Sequence, residues 1–211
     1  MSPETNARDR LRDAAVETFA RTGFGATFRD IAAAAGVTPG LITHHFGSKE
    51  GLRAAADEEV LRRLRDVREG DIAKSAQEQL ATITELDEHG ATVAYVLRLV
   101  QEGGPAARAF LEKMIEDTEA SLAASVAIGL ARPSRDPAMR ARYLVASQFG
   151  GLLVQAALLG IDLADGRELI QRLAAETTLT ALEVYTEGVF ANRSLLDAYL
   201  AMREQQEQGS R

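Results

Sequence analysis

Between Thr27 and Lys49 the chain reads TFRDIAAAAGVTPGLITHHFGSK. Among the side chains here that can do chemistry are the hydroxyls of Thr27, Thr38 and Thr43, the adjacent imidazoles of His44 and His45, and the cations Arg29 and Lys49, with Pro39 and Gly40 between them. On short helices such groups donate hydrogen bonds to phosphate oxygens and base edges. Lys49, at the start of a helix, is set to hold a phosphate together with the backbone N–H groups there. Arg29 lies in the first turn of the preceding helix, within reach of a guanine edge. The other reading of Arg29 is a surface charge paired with Asp30 or Glu50. Thr27 serves both as a helix cap and as a phosphate ligand. Gly40 contributes by having no side chain, so that its helix can sit close to a sugar-phosphate chain. A metal site is not implied: adjacent helical positions diverge by about 100°, and His89 is the one other histidine.

The elements that position these groups are legible. Thr27 with Asp30 three residues on is a capping-box start for a helix over 28–35. Ile31, Ala32 and Ala35 form its apolar stripe. Gly36 can take a positive φ, which ends that helix and begins a sharp turn. Thr38 as cap and Pro39 as first residue predict a second helix over 39–45, buried through Leu41, Ile42 and Phe46. Ser48 then caps a long third segment. Two short helices joined by a tight turn are the layout of a helix-turn-helix DNA reader.

At these residues the chain resembles the TetR family of bacterial transcriptional repressors. The matching residues are Asp30-Ile31-Ala32, Ala35-Gly36-Val37-Thr38, Gly40, His45-Phe46, and Ser48-Lys49-Glu50 with Leu52. Upstream, Ala15, Phe19, Gly23-Phe24 and Thr27 match the family's first helix and the turn after it. The resemblance implies that His45 contacts phosphate and His44 a base or sugar edge. Thr38, Pro39, Gly40 and Thr43 would complete the DNA face. The family commonly has Tyr where this chain has Thr43. Thr can bond a phosphate or touch a thymine methyl, without the reach or stacking of Tyr.

Other classes of function find little support. The absence of cysteine excludes disulfides, thiolate metal ligands and cysteine nucleophiles. There is no H-E-x-x-H and no Gly-rich phosphate loop after a strand, and the Ser, His and Asp residues are scattered, so no catalytic residue and no cofactor is predicted. The alternative is a helical interaction module without specific DNA binding, against which the reader motif argues. No apolar run reaches the length of a membrane span. Met1 to Arg12 lacks a signal-peptide core, so a cytoplasmic location is expected. The net charge of −7 is unevenly divided: residues 1–65 carry 10 basic and 9 acidic side chains, residues 66–211 carry 14 and 22. A nearly neutral head on an acidic body suits specific binding better than strong non-specific affinity.

The rest of the chain reads as all-α, with about nine to ten helices in total. The expected segments are Pro3 to Thr22, the two reader helices, Ser48 to about Arg68 with a break at Gly70, Asp71 to Asp87, Ala91 to Glu102, Ala106 to Ala131, a helix opened by Asp136-Pro137 and ending near Gly160, Asp165 to Gly188, and Ser194 to Gln208. The tail from Glu204 is expected to be disordered. The predicted architecture is an N-terminal three-helix DNA-binding head with a helix-turn-helix, residues 1–50, and a C-terminal helical ligand-binding and dimerisation bundle, residues 51–211.

Leu144 to Ile161 is apolar around most of its circumference and should be buried on more than one side. An intramolecular core is one reading. A four-helix interface with a second copy is the other, and the TetR resemblance implies it. Its candidate residues are Leu152, Gln155, Leu159, Leu169, Leu173, Thr177 and Ala181. The same resemblance implies a pocket for a small effector, hydrophobic or amphipathic, lined by Tyr95, Leu99, Phe110, Met114, Phe149 and Leu152 with Gln148 as a polar anchor. Ordinary core packing would look the same in sequence. The expected partners are therefore a double-stranded DNA operator, a second copy of the chain and this effector, with no membrane.

Overall fold

The computed structural model describes residues 3–72, 74, 75, 77, 78 and 89–209. Among them are nine α-helices and no strand: α1 (Pro3–Thr22), α2 (Phe28–Ala35), α3 (Gly40–Phe46), α4 (Lys49–Ile72), α5 (Gly90–Glu102), α6 (Gly104–Ala127), α7 (Pro137–Leu159), α8 (Gly166–Thr186) and α9 (Ser194–Gly209). The chain forms two compact units, residues 1–172 and 173–211, with the boundary inside α8.

In the first unit α1 packs against α2, α4 and α5, and α6 pairs with α7. Leu11, Ala15, Val16 and Phe19 bury the inner face of α1. Ile31 and Ala32 from α2, Ile42 from α3, and Leu52, Ala56 and Val60 from α4 are likewise wholly buried. On α1 and α4 they recur at three- or four-residue spacing, which keeps one helix face apolar. Truncating Phe19 in such a core costs about 3–5 kcal/mol.

Several boundaries differ from the sequence reading, each for a physical reason. Gly70 does not break α4, which continues to Ile72; one helical glycine costs only about 1 kcal/mol. Of the helix expected over Asp71 to Asp87, Asp71 and Ile72 finish α4, and most of the remainder lies outside the described residues. Helix α6 opens at Gly104 rather than Ala106, with Pro105 in the first turn where its missing N–H is harmless. That helix ends at Ala127 rather than Ala131, with Gly129 at a φ of 77° just beyond. The tail is helical through Gly209, supported by an Arg203–Glu207 pair at 3.2 Å. Asp136 caps α7 as expected, accepting from the Met139 N–H at 3.0 Å.

One close crossing was invisible in the sequence. A Cβ on Gly166 would lie 2.1 Å from the Gly90 carbonyl oxygen, so the starts of α5 and α8 touch backbone to backbone. By contrast, a Cβ on Gly150 or Gly151 would meet nothing within 4 Å among the described residues.

Candidate nucleic-acid interface

The reader begins with a complete capping box. The Thr27 N–H donates to the Asp30 carboxylate at 3.0 Å, and the Asp30 N–H donates to the Thr27 hydroxyl at 3.3 Å. The hydroxyl itself donates to Asp30 at 2.6 Å. These bonds, the hydroxyl's foremost, hold the Asp30 carboxyl below its ordinary pKa. Gly36 ends α2 at a φ of 65°, and the Val37 N–H returns to the Ala32 carbonyl at 3.0 Å. Helix α3 starts one residue later than expected, at Gly40. The carbonyls of Thr38 and Pro39 accept from Leu41 and Ile42, both at 3.1 Å, and the Thr38 side chain supplies no cap.

This geometry turns one face outward. Ile42 is wholly buried, while Thr38, Pro39, Gly40, Thr43 and His44 are exposed and His45 is half-buried. The two imidazole rings lie 5.0 Å apart. Ser48 caps α4 by accepting from the Gly51 N–H at 3.1 Å, which leaves Lys49 at the first helical position. Thr27 and Arg29 are exposed at the start of α2.

Five cations near this face, Arg8, Arg12, Arg29, Lys49 and Arg53, divide into two groups. Arg12 is bound to Asp9 and Asp13, both at 3.1 Å, and to Glu59 at 3.4 Å. Arg53 makes a two-pronged bond with Glu102, at 3.2 and 2.6 Å. Arg8, Arg29 and Lys49 form no ion pair among the described residues. Asp30 is engaged by Thr27, so the reading of Arg29 as its salt-bridge partner loses support.

Arg53 ties this head to the helices behind it. Its guanidinium lies 3.8 Å over the Phe24 ring. Phe24 packs edge-on against Tyr95 of α5 at 5.0 Å, and Tyr95 also meets Phe19 and Phe110. The Tyr95 hydroxyl donates to Asp57 of α4 at 2.6 Å. Burial raises the Asp57 carboxyl, with Tyr95 and Arg53 opposing it, and burial beside Asp57 raises the Tyr95 phenol. Sequence reasoning missed this cluster. It had placed Tyr95 in a pocket wall, and partners 38 and 49 residues apart leave no local signal.

A groove of about 490 Å³ opens between α5, α6 and α7. Of the seven pocket candidates only Phe149 lines it. Tyr95, Leu99, Phe110 and Met114 are buried core, Gln148 is exposed and Leu152 is half-buried. The groove's other apolar walls come from residues such as Val100, Leu111, Ile115 and Val145. Among the dimer candidates, Leu169 and Leu173 are buried, Leu152, Gln155, Leu159 and Thr177 are half-buried, and Ala181 is exposed. The large exposed apolar side chains on α7 are instead Met139, Tyr143, Val154 and Leu158.

Residues 11–56 match the family described as bacterial regulatory proteins, tetR family, and residues 87–191 match the tetracyclin repressor-like C-terminal domain. The HTH-type transcriptional regulatory protein RaaS of Mycobacterium tuberculosis is 39% identical over 207 residues, covering 98% of this chain and 97% of that protein. The chain belongs to the TetR family. It is a DNA-binding transcriptional regulator with the all-helical TetR fold. Solved structures share that fold. A TetR regulator from Chloroflexus aurantiacus is 23% identical, with a TM-score of 0.54 over 84% of this chain and 97% of that one. FadR from Bacillus subtilis, solved in complex with stearoyl-CoA, is 20% identical, with a TM-score of 0.59 over 86% and 99%. In TetR terms α2 and α3 are the helix-turn-helix, and no described helix is long and apolar enough to cross a membrane.

Proposed function

We propose that this TetR regulator is a ligand-responsive repressor that binds a palindromic operator as a homodimer. The observation that carries the reading is the exposed face of α3, flanked by Arg29 and Lys49, which form no ion pair among the described residues. Residues 1–50 act as the DNA-binding domain and residues 51–211 as the regulatory and dimerisation domain. The two family matches, ending at residue 56 and beginning at residue 87, support that division. Arg29 reads a base edge; Thr38, Pro39, Gly40, Thr43 and His44 approach the groove; Thr27, His45 and Lys49 hold phosphates. The protein acts in the cytoplasm without catalysis, and repression follows from covering a promoter.

The effector site in this reading is the groove walled by Phe149. The junction of α5 and α6, Gly103 and Gly104, forms one end of its lining, and Glu102 directly precedes it. A small hydrophobic or amphipathic molecule seated there shifts Glu102, which bears on Arg53 and so on α4 and the reader. Its differential affinity for the two head positions sets how far DNA binding is weakened.

Charge reversal at Lys49 tests the DNA reading. Lys49→Glu should weaken operator binding at least about tenfold and lower the salt dependence by about one phosphate contact. Its thermal melting and sedimentation should match the parent's. Unchanged operator affinity would remove Lys49, and the face it borders, from the interface.

A further inference from the structure

The groove between α5, α6 and α7 carries one uncompensated charge. We infer that its occupant is a single-chain amphipathic anion, its apolar chain lying along α6 and α7 and its carboxylate against Arg142. This rests on the reading of the groove as the effector site.

Val100, Ala107, Leu111, Ile115, Val145 and Phe149 give the groove apolar walls. Three charged residues line it: Arg108, Glu112 and Arg142. Arg108 and Glu112 neutralise each other at 2.9 Å. Arg142 is exposed and makes no ion pair among the described residues. An apolar channel with one free guanidinium complements an alkyl chain ending in a carboxylate, which a guanidinium can bind through two parallel hydrogen bonds. From Gly104 to Ile115 the α6 wall runs about 16 Å at helical rise, room for an extended chain of about ten carbons. The volume of about 490 Å³ falls within the range of small-molecule sites.

The charge on the whole body argues for the opposite ligand. Residues 66–211 carry 14 basic and 22 acidic side chains, a field that draws cations. That field comes from charges spread over the surface, and salt screens it beyond about 8 Å. A contact pair at Arg142 is screened less. The local cation therefore decides the sign, and the two accounts predict opposite preferences.

The test is calorimetric titration of the full-length protein, without DNA and at physiological salt. The probes are decanoate, 1-decanol and decyltrimethylammonium, each below its micellar concentration. Decanoate should bind at least about threefold more tightly than decyltrimethylammonium, with 1-decanol between them. Arg142→Glu should invert that order, and Arg142→Gln should bring decanoate level with 1-decanol. Ala146→Trp, which fills the groove, should weaken all three. The proposal is overturned if decyltrimethylammonium binds as well as decanoate, if no probe binds, if Arg142→Glu leaves the order intact, or if Ala146→Trp changes nothing. Because no DNA is present, these outcomes are independent of the head. Decanoate that binds here but leaves the operator complex intact would instead sink the effector reading of the site.

Discussion

At the scale of single residues, the head is held by charges turned inward as much as by those turned out. Glu59 has a side chain only 3% exposed, met by Arg62 at 2.6 Å, Arg63 at 2.8 Å and Arg12 at 3.4 Å. Burial alone would raise its pKa. Hydrogen bonds from Arg62 and Arg63 and the nearby Arg12 charge outweigh that and hold it at about 2, against an ordinary 4.5. A carboxylate depressed in the folded state stabilises fully above its unfolded pKa and loses that contribution as pH falls through the folded one. Acid titration of stability should therefore show a loss between about pH 4.5 and 2, and Glu59→Gln should remove that component. At pH 7 the variant should be less stable by about 2–3 kcal/mol, since it leaves three arginines without their shared partner. Denaturant melts at several pH values check this; a variant with the parent's acid sensitivity would refute it. This cluster was not legible in sequence, since Arg12 and Glu59 lie 47 residues apart, where no spacing rule can find them.

At the scale of elements, α4 is the lever. Its first turn holds Lys49, and one turn on Arg53 grips Glu102 at the end of α5 and covers Phe24. If that grip couples head to body, a double-mutant cycle of Arg53→Ala and Glu102→Ala should give a coupling of about 0.5–2 kcal/mol in unfolding. Each single variant should also reduce the effector's power to release DNA. Additive losses would show that the pair is incidental. The helix-turn-helix was legible because its determinants are local: Thr27 with Asp30, Gly36 and Ser48 each act within four or five residues. The helices also followed from their caps, as with Asp136 and Pro137 opening α7. The groove between α5, α6 and α7 did not, because the aromatic residues expected to line a pocket, Tyr95 and Phe110 among them, are the core that joins α1, α5 and α6. A wall and a core have the same composition. The Gly90–Gly166 crossing escaped for a related reason: two isolated glycines 76 positions apart carry no periodic signal.

At the scale of the whole molecule, one reader head is a weak specificity device and two at fixed spacing are a strong one. The exposed apolar residues suit a second copy. On α7, Leu158 is 74% and Val154 59% exposed. Leu158→Glu should shift the protein toward monomer in sedimentation velocity and weaken operator binding at least about tenfold, with helicity unchanged. A dimer as tight as the parent's would exclude that face. The most direct measurement is selection of bound sequences from a random double-stranded DNA pool, with ligand-free protein at moderate salt. The account predicts a palindromic consensus whose half-sites are centred about one helical turn, or a multiple of it, apart. A consensus with a single half-site, or no enrichment by folded protein, would contradict it.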